Sequence, residues 1–308
     1  MMKRGYSAEI EQLAAEIHTA FLEKRPPHFE RGTAADWVQA VNLQMLIGQM
    51  EVAEHGLRYL RQRFPDVTYT NRVGEVFSRL PKGPTPLPFK DDPARDMQVV
   101  PCDSSETVLL MFCGAADNLG LPLAVTHRWF GCLGASLIYL RDSRRRWFVD
   151  GVASLGQTYA ETIDELSRTI ASLGGRRVAC LGSSGGVFGA LRYAIACNAD
   201  TVLCFSGPVN LRPDFNAFSV YERSVSRLAS GLSEAELDAR DFYLKVPNPP
   251  RVRMVFGDSY WDDRIHAEHM GALPCVTLQP VDDFGEHNVT PELIKRGQFE
   301  DTLRWLMP

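Results

Sequence analysis

The sequence predicts an α/β protein with a mostly parallel sheet and helices on both of its faces. Short apolar segments rich in β-branched residues alternate with amphipathic segments of helix length, such as 157–173 and 290–306. Strands that alternate with helices are typical of parallel sheets, which are buried on both faces. We expect strands at 97–100, 107–113, 135–140, 176–181, 200–205, 251–256 and 274–278.

The chain divides into two regions near residue 81. Residues 7–80 are rich in helix-like segments, and strands are hard to find there. The stretch PKGPTPLPFKDDP at 81–93 holds five prolines, so it is expected to be irregular. We therefore expect a helical subdomain over 1–80, a proline-rich linker over 81–96 and an α/β domain over 97–308.

The composition excludes several classes of protein. A net charge of −5 over 308 residues argues against general nucleic-acid binding. The chain has no run of about 18 apolar residues, so no membrane span is expected, and the polar N-terminal stretch does not resemble a signal peptide. The seven cysteines form no C-x-x-C pair, which favours reduced core thiols over disulfides or zinc. These observations predict a cytoplasmic protein.

The helical region resembles a tetratricopeptide repeat. A unit of about 34 residues over 34–67 places Trp37, Gly48, Ala53 and Pro65 on signature positions, while other signature positions differ. Only one repeat is visible, and a single repeat cannot bury its own apolar face. We therefore expect these helices to form a structural cap on the neighbouring domain, with a peptide-docking groove as the alternative.

The most informative motif lies at 176–190, which reads RRVACLGSSGGVFGA. An apolar strand-like stretch runs into GSSGG (182–186), and a helix-like stretch follows. G-x-S-x-G between a strand and a helix is typical of a nucleophile elbow, where small flanking residues let the strand and helix pass closely. The motif predicts that Ser184, and not Ser183, is a nucleophile and that the Gly185 N–H is an oxyanion donor. A glycine- and serine-rich turn without chemistry is the alternative.

A serine nucleophile needs a base and a carboxylate, and candidates for both follow it in the chain. His287 lies after the last expected strand and is the predicted base, although an exposed loop histidine is the alternative. Asp258, which follows the expected strand at 251–256, is the predicted acid. Asp262 is the runner-up, and it could equally be the N-cap of the next helix.

A metal site is a further alternative for the segment after 251–256. Asp262, His266 and His269 share one face if a helix begins at Asp262. Zinc sites usually need a third or fourth strong ligand, and no partner motif is visible. We therefore expect neither a metal nor a cofactor.

Together these features resemble the α/β-hydrolase superfamily over about 97–308. The specific carriers of the resemblance are GSSGG at 182–186, FGD at 256–258 and GEHNV at 285–289. The resemblance implies an acyl-serine mechanism, in which the serine attacks an ester, thioester or amide carbonyl and the histidine transfers the proton.

The resemblance also implies a second oxyanion donor. The loop after the second expected strand contains Ala115, whose N–H is implied to be that donor. Members of the superfamily often carry Gly-x-x-Asp in the region of 251–260. Here Tyr260 occupies that aspartate position, so the role falls to Asp258 or Asp262.

The sequence gives less direct evidence for the substrate than for the nucleophile and the base. The loop RDSRRRW at 141–147 follows an expected strand, and we expect Arg141, Arg144 and Arg145 to hold an anionic group of the substrate. A solvated loop is the alternative.

Residues 207–250 are longer than a simple crossover and lie where α/β hydrolases insert a lid. Phe215, Phe218 and Tyr221 in this segment could line an acyl pocket, although such spacing more often indicates core packing.

These expectations define a function. We expect a serine hydrolase that cleaves an ester or thioester of a small-molecule or carrier-bound acyl substrate, with deacylase or acyltransferase activity as the finer possibilities. The alternative is an interaction protein that binds a protein partner through the helices of 1–80 and carries an inert hydrolase fold.

Overall fold

The computed structural model describes residues 6–28, 30–83, 85–229 and 232–307, except for the side chain of Tyr69. Within these residues a seven-stranded sheet lies between helices, so the predicted α/β class is confirmed. An observed strand overlaps each predicted strand segment. The strands are β1 (Met97–Val100), β2 (Thr107–Phe112), β3 (Ser136–Leu140), β4 (Arg177–Ser183), β5 (Thr201–Phe205), β6 (Arg251–Gly257) and β7 (Val276–Val281).

The strand order across the sheet is β1-β3-β2-β4-β5-β6-β7. Strand β1 is antiparallel to β3, and the other neighbouring pairs are parallel. The carboxyl ends of β2 to β7 therefore meet along one edge of the sheet. Ligands of open α/β sheets bind outside this edge, so the loops that follow these strands are where a site is expected.

The helices cover both faces of the sheet. Helix α6 (Tyr159–Ser172) begins at a capping box in which Thr158 and Glu161 exchange hydrogen bonds. The segment 290–306 contains two helices instead of the expected one, because Gly297 adopts a left-handed φ of 71° that ends the first of them. In the described residues the helices are α1 (Ala8–Leu22), α2 (Ala34–Leu46), α3 (Met50–Arg63), α4 (Thr68–Ser78), α5 (Leu123–Phe130), α6 (Tyr159–Ser172), α7 (Gly186–Ala196), α8 (Glu222–Ala229), α9 (Ala239–Leu244), α10 (Trp261–Gly271), α11 (Thr290–Lys295) and α12 (Phe299–Leu306).

The core consists of one apolar cluster on each face of the sheet. Along β4, Ala179 and Leu181 belong to one cluster, whereas Val178 and Cys180 belong to the other. This alternation follows from the pleat of a strand, which points successive side chains to opposite faces. Burial on both faces explains why the strand segments read as continuous apolar runs.

The N-terminal helices share the first of these clusters. Trp37 of α2 is fully buried, and Gly48 makes the turn to α3 with a φ of 81°. Val76 of α4 lies in the same apolar cluster as Leu293 of α11, so the helical region packs directly on the sheet domain. A pair of helices thus occupies the proposed repeat, while the tetratricopeptide resemblance and the domain boundaries stay predictions.

The described part of the linker at 81–96 contains neither helix nor strand. Its chain is held by arginines of the sheet domain: Arg128 donates to the carbonyls of Pro81 and Gly83, and Arg141 pairs with Asp91. No helix of the described residues is long and apolar enough to cross a membrane.

Candidate active site

The turn between β4 and α7 has the conformation of a nucleophile elbow. Ser184 lies at its tip with a φ of 53°, a left-handed conformation that is rare for a residue with a side chain. A Cβ on Gly182 would lie 2.6 Å from the carbonyl oxygen of Gly186, and one on Gly186 would collide with the carbonyl of Phe112. Both positions therefore require glycine, and the backbone strain is concentrated at the serine.

The two serines of the motif differ in their environment. Both line a cavity of about 280 Å³, but Ser183 is the last residue of β4 and is 6% exposed, whereas Ser184 is half-buried and lies at the tip of the turn. His287 lines the same cavity, and its Nε2 lies 2.8 Å from Ser184 Oγ. The structure thus brings together the predicted nucleophile and the predicted base.

Three contacts hold the loop that carries His287. Asn288 Nδ2 donates to the Gly120 carbonyl at 2.6 Å, and Thr290 Oγ1 donates to the Leu119 carbonyl at 3.2 Å. Glu286 forms an ion pair with Arg72 of α4, and this arginine holds the pKa of the glutamate below its ordinary value. The N-terminal helices therefore contact the histidine loop directly.

The carboxylate that contacts His287 is Asp263, and the predictions of Asp258 and of Asp262 are both wrong. Asp263 Oδ2 lies 2.8 Å from His287 Nδ1, on the side of the ring away from the serine. Its side chain is completely buried. Ser184, His287 and Asp263 thus form a continuous hydrogen-bonded chain.

Asp258 and Asp262 have other partners. Asp258 is half-buried and accepts backbone N–H groups of Asp283 and Phe284 at 3.0 and 3.1 Å. The hydroxyl of Ser259, followed by these amides, lowers the pKa of Asp258. Asp262 Oδ1 accepts the Val220 N–H at 3.0 Å. The first aspartate therefore shapes the loop before His287, and the second anchors the segment before α8.

The spacing of buried residues in α10 is the signal that could have indicated Asp263. The helix begins at Trp261, so that Asp263 shares its buried face with His266, Ala267 and Met270. A carboxylate on the buried face of a helix needs a partner, because burial of an unpaired charge is costly. Asp262 lies one position away and is only half-buried.

The tyrosine of the inserted segment also reaches this acid. Tyr221 Oη donates to Asp263 Oδ1 at 2.6 Å and lies 3.3 Å from His287 Nδ1. Burial, followed by the nearby Asp263 charge, raises the pKa of Tyr221, so its hydroxyl stays protonated at neutral pH. Of the other two aromatic candidates, Phe215 packs on His266 and His269, and Phe218 is 93% exposed.

The two residues predicted to donate to an oxyanion line cavities at or next to the serine. Ala115 lines the cavity that contains Ser184 and His287. Together with Gly185 it also lines an adjoining cavity of about 100 Å³. The Ala115 carbonyl accepts from Arg145 Nη1 at 2.5 Å, which holds this loop against the arginine loop. The role of both amides in binding an oxyanion stays a prediction.

The structure does not place the predicted arginines together on one substrate site. Arg141 is 3% exposed and pairs with Asp91 of the linker. Arg144 donates to the carbonyls of Asp150, Gly156 and Gln157. For these two the prediction is wrong, because their guanidinium groups satisfy carbonyls and a carboxylate of the protein itself.

Arg145 alone of the three lies beside the site. It lines the smaller cavity, and it forms a two-fold ion pair with Asp117 at 2.6 and 2.8 Å. The pairing with Asp117 leaves this guanidinium largely neutralised.

Metal coordination finds no support in the residues that the structure describes, among which no group of three or more His, Cys, Asp or Glu could hold an ion. The histidines of the metal alternative have other partners. His266 Nδ1 accepts the Val209 N–H at 3.2 Å, and His269 Nε2 lies 2.8 Å from Asp238. Burial, followed by the charge of His269, lowers the pKa of His266 to about 3, so this ring is neutral.

The seven-stranded sheet, the elbow and the chain order serine, aspartate, histidine define the α/β-hydrolase fold. A scan of protein-family models gives no match to the chain, and a search of curated proteins gives none. Among solved structures, the chain is similar to an esterase from Thermogutta terrifontis, with 15% identity, a TM-score of 0.49, and 70% of this chain and 88% of that chain covered.

Two further solved structures show comparable similarity. One is an S-formylglutathione hydrolase from Agrobacterium tumefaciens, with 15% identity, a TM-score of 0.44, and 68% of this chain and 87% of that chain covered. The other is the carboxylesterase EstE1 from a metagenomic library, with 12% identity, a TM-score of 0.46, and 82% and 98% covered. At these identities the comparisons concern the fold and not the substrate.

Proposed function

We propose that the protein is a serine hydrolase that cleaves an ester or thioester through an acyl-serine intermediate. The observation that carries the proposal is the chain of contacts from Ser184 Oγ to His287 Nε2 and from His287 Nδ1 to Asp263, with 2.8 Å at each step. A strained serine with an oriented base is the arrangement that activates a hydroxyl as a nucleophile.

In the first half of the reaction, His287 Nε2 takes the proton of Ser184 as the serine oxygen attacks the carbonyl carbon. The amides of Gly185 and Ala115 stabilise the negative charge on the carbonyl oxygen. His287 then donates its proton to the leaving alcohol or thiol, and the acyl group stays on Ser184. Asp263 keeps the proton on Nδ1, so that Nε2 is free to accept one.

In the second half, His287 takes a proton from water, and the resulting hydroxide attacks the acyl-serine carbonyl. Collapse of this intermediate returns the proton to Ser184 and releases a carboxylic acid. If an alcohol or amine enters in place of water, the same steps transfer the acyl group, which is the acyltransferase possibility.

Labelling with a fluorophosphonate probe tests the proposal, because the probe reacts with activated serines. We expect the full-length protein to be labelled at Ser184 and to hydrolyse p-nitrophenyl acetate or a short acyl thioester. Ser184→Ala should abolish the labelling and lower kcat roughly 10³-fold or more.

Ser183→Ala is the matched control, since this neighbouring serine is buried at the end of β4. It should retain the labelling. A wild-type protein that is neither labelled nor active on any ester or thioester would leave the interaction-protein alternative as the better one.

A further inference from the structure

Tyr221 reaches the site from the inserted segment 207–250, immediately before α8. Its ring is 7% exposed and packs edge-on against Trp147 and His266, at centroid distances of 5.9 and 5.4 Å. Its hydroxyl is 2.6 Å from Asp263 Oδ1. Tyr221 thus lies outside both the strand ends and the loop that carries His287, yet its hydroxyl contacts the same carboxylate that His287 contacts.

The backbone around Tyr221 is fixed in a way that aims this hydroxyl. The Tyr221 N–H donates to Ser219 Oγ at 3.1 Å, and the preceding Val220 N–H donates to Asp262 Oδ1 at 3.0 Å. Asp262 and Asp263 both lie in the first turn of α10. Asp262 therefore holds the backbone of the segment at Val220, while Asp263 accepts the hydrogen bond from the Tyr221 side chain.

The Asp263 carboxylate needs this second donor. Its side chain has no exposure, and its hydrogen bonds to described side chains come from His287 and Tyr221. Without Tyr221, Oδ1 would keep among described side chains only the longer contact to His287 Nδ1 at 3.1 Å, and hydrogen bonds to charged groups are the strong ones. With both donors in place, Oδ2 accepts from His287 at 2.8 Å and Oδ1 accepts its shorter hydrogen bond, 2.6 Å, from Tyr221.

The neighbours of the Tyr221 hydroxyl determine which of them receives its proton in a hydrogen bond. His287 Nδ1 must carry its proton to donate to Asp263, so the Tyr221 hydroxyl, 3.3 Å from that nitrogen, is left to donate to the carboxylate. The other titratable groups that face the tyrosine are Tyr260, Asp262 and the neutral His266. Neither Tyr260 nor Asp262 is hydrogen-bonded to the Tyr221 hydroxyl within the described residues.

We propose that Tyr221 is a positioning residue for the catalytic acid, whose hydroxyl holds the Asp263 carboxylate in the orientation that serves His287. This inference rests on the proposed hydrolase function. It gives the inserted segment a role in catalysis: the segment supplies a fourth member of the hydrogen-bonded chain without contacting the substrate.

The test compares Tyr221→Phe with Tyr243→Phe in the full-length protein. Tyr243 is also buried, and its hydroxyl donates to the Leu191 carbonyl at 3.4 Å, outside the site. For Tyr221→Phe we expect kcat to fall roughly 10- to 100-fold, with KM within about threefold of the wild type. Tyr243→Phe should lose some thermal stability and keep both constants.

A pH profile separates positioning from packing. Without the tyrosine donor the Asp263 charge is less dispersed and stabilises a protonated His287 more strongly, so the acid limb of kcat/KM should move to higher pH in Tyr221→Phe. In an Asp263→Asn background the same tyrosine change should have little further effect on kcat, because its partner has been altered. Equal losses in both backgrounds, or an unmoved acid limb, would overturn the proposal.

A readout that needs no substrate keeps this proposal distinct from the proposed function. The NMR resonance of the His287 Nδ1 proton reports its hydrogen bond to Asp263, and we expect Tyr221→Phe, but not Tyr243→Phe, to shift it. An inactive wild type contradicts the hydrolase assignment. An unchanged resonance in Tyr221→Phe contradicts the positioning role, whether or not the wild type is active.

Discussion

Helix α10 contributes to two histidine–carboxylate pairs that look alike in their central contact. Asp263 lies 2.8 Å from His287 Nδ1, and His269 Nε2 lies 2.8 Å from Asp238. The two carboxylate side chains are 0% and 2% exposed. A histidine beside a buried carboxylate is therefore not enough to identify a catalytic base.

The pairs differ in what surrounds them. The second nitrogen of His287 faces a serine that is held in a left-handed conformation, whereas the hydrogen bonds of His269 to described residues all go to Asp238. His269 joins Asp238, and with it the segment 207–250, to α10, while the charge of Asp238 is shared among further donors within that segment. These donors are Asn210 Nδ2, Arg212 Nη1 and the Arg240 N–H. Among the described residues Asp263 accepts from the side chains of His287 and Tyr221, whereas Asp238 accepts from three side chains and a backbone amide.

The histidines give the largest expected difference between the pairs. His287→Ala should lower kcat for an ester substrate by about 10⁴-fold or more, since the serine then has no base. His269→Ala should keep kcat within about threefold and lower the melting temperature, because it removes a contact that joins two segments. Steady-state kinetics and thermal unfolding of both variants test this, and comparable kinetic losses in the two would contradict the distinction.

Substitution of the two carboxylates should show the same difference between the pairs, with a smaller loss of kcat than for the histidines. Asp263→Asn should reduce kcat roughly 10⁴-fold without unfolding the protein, by analogy with the same change in other triads. Asp238→Asn should leave kcat nearly unchanged and cost about 1–3 kcal/mol of unfolding free energy, because its buried donors lose a charged acceptor. Denaturant titration together with kinetics distinguishes the two outcomes.

The other histidine of α10, His266, predicts a pH dependence of stability. His266 binds a proton readily only in the unfolded chain, because burial lowers its folded pKa from 6.5 to about 3. Its contribution to stability is therefore present above pH 6.5 and is lost as the pH falls towards 3. Between pH 7 and 5 the loss should be about 2 kcal/mol.

His266→Gln is the variant that isolates this contribution, since glutamine can still accept from the Val209 amide. Its unfolding free energy should change less between pH 7 and 5 than that of the wild type, by about the same 2 kcal/mol. Identical pH dependence in urea titrations of the two proteins would refute the assignment.

The smallest effect is expected at the two neighbouring aspartates. Asp258→Asn and Asp262→Asn should each keep kcat within about threefold of the wild type, because neither carboxylate touches His287 and near-surface changes of this kind are small. A loss near that of Asp263→Asn in either variant would move the acid role to that residue. Kinetics of the three asparagine variants side by side decide the matter.

Much of the fold was predictable because it depends on local patterns. The apolar composition of each strand segment predicts that the strand is buried. The small residues of GSSGG, between a strand and a helix, indicate a sharp turn. The helical segment 290–306 was misjudged at Gly297, where a left-handed φ splits it into α11 and α12. A glycine inside an amphipathic pattern is compatible with both outcomes, and the packing of the two short helices chooses between them.

The partners of the arginines in the loop 141–147 could not be predicted from the residues of that loop. A cluster of arginines at a strand end indicates an anion site, but Arg141 and Arg144 lie against the linker and against carbonyls of their own loop. Whether a guanidinium is available to a substrate depends on which acceptors distant segments bring to it. Asp91 is 50 residues from Arg141 and Gly156 is 12 residues from Arg144 in the chain, so their positions cannot be read from the loop.

By itself, the sequence determined the strands, the elbow and the nucleophile–base candidates Ser184 and His287, because each depends on residues that are neighbours in the chain. Only the tertiary structure decided which aspartate contacts His287. The sequence alone hardly distinguishes Asp258, Asp262 and Asp263. The orientation of α10 relative to the loop that carries His287 turns only Asp263 towards that histidine. The same packing places Tyr221, 42 residues earlier in the chain, on that carboxylate. Partner choice among adjacent charged residues is thus a property of packed elements, since one residue along a helix changes the direction of a side chain by about 100°.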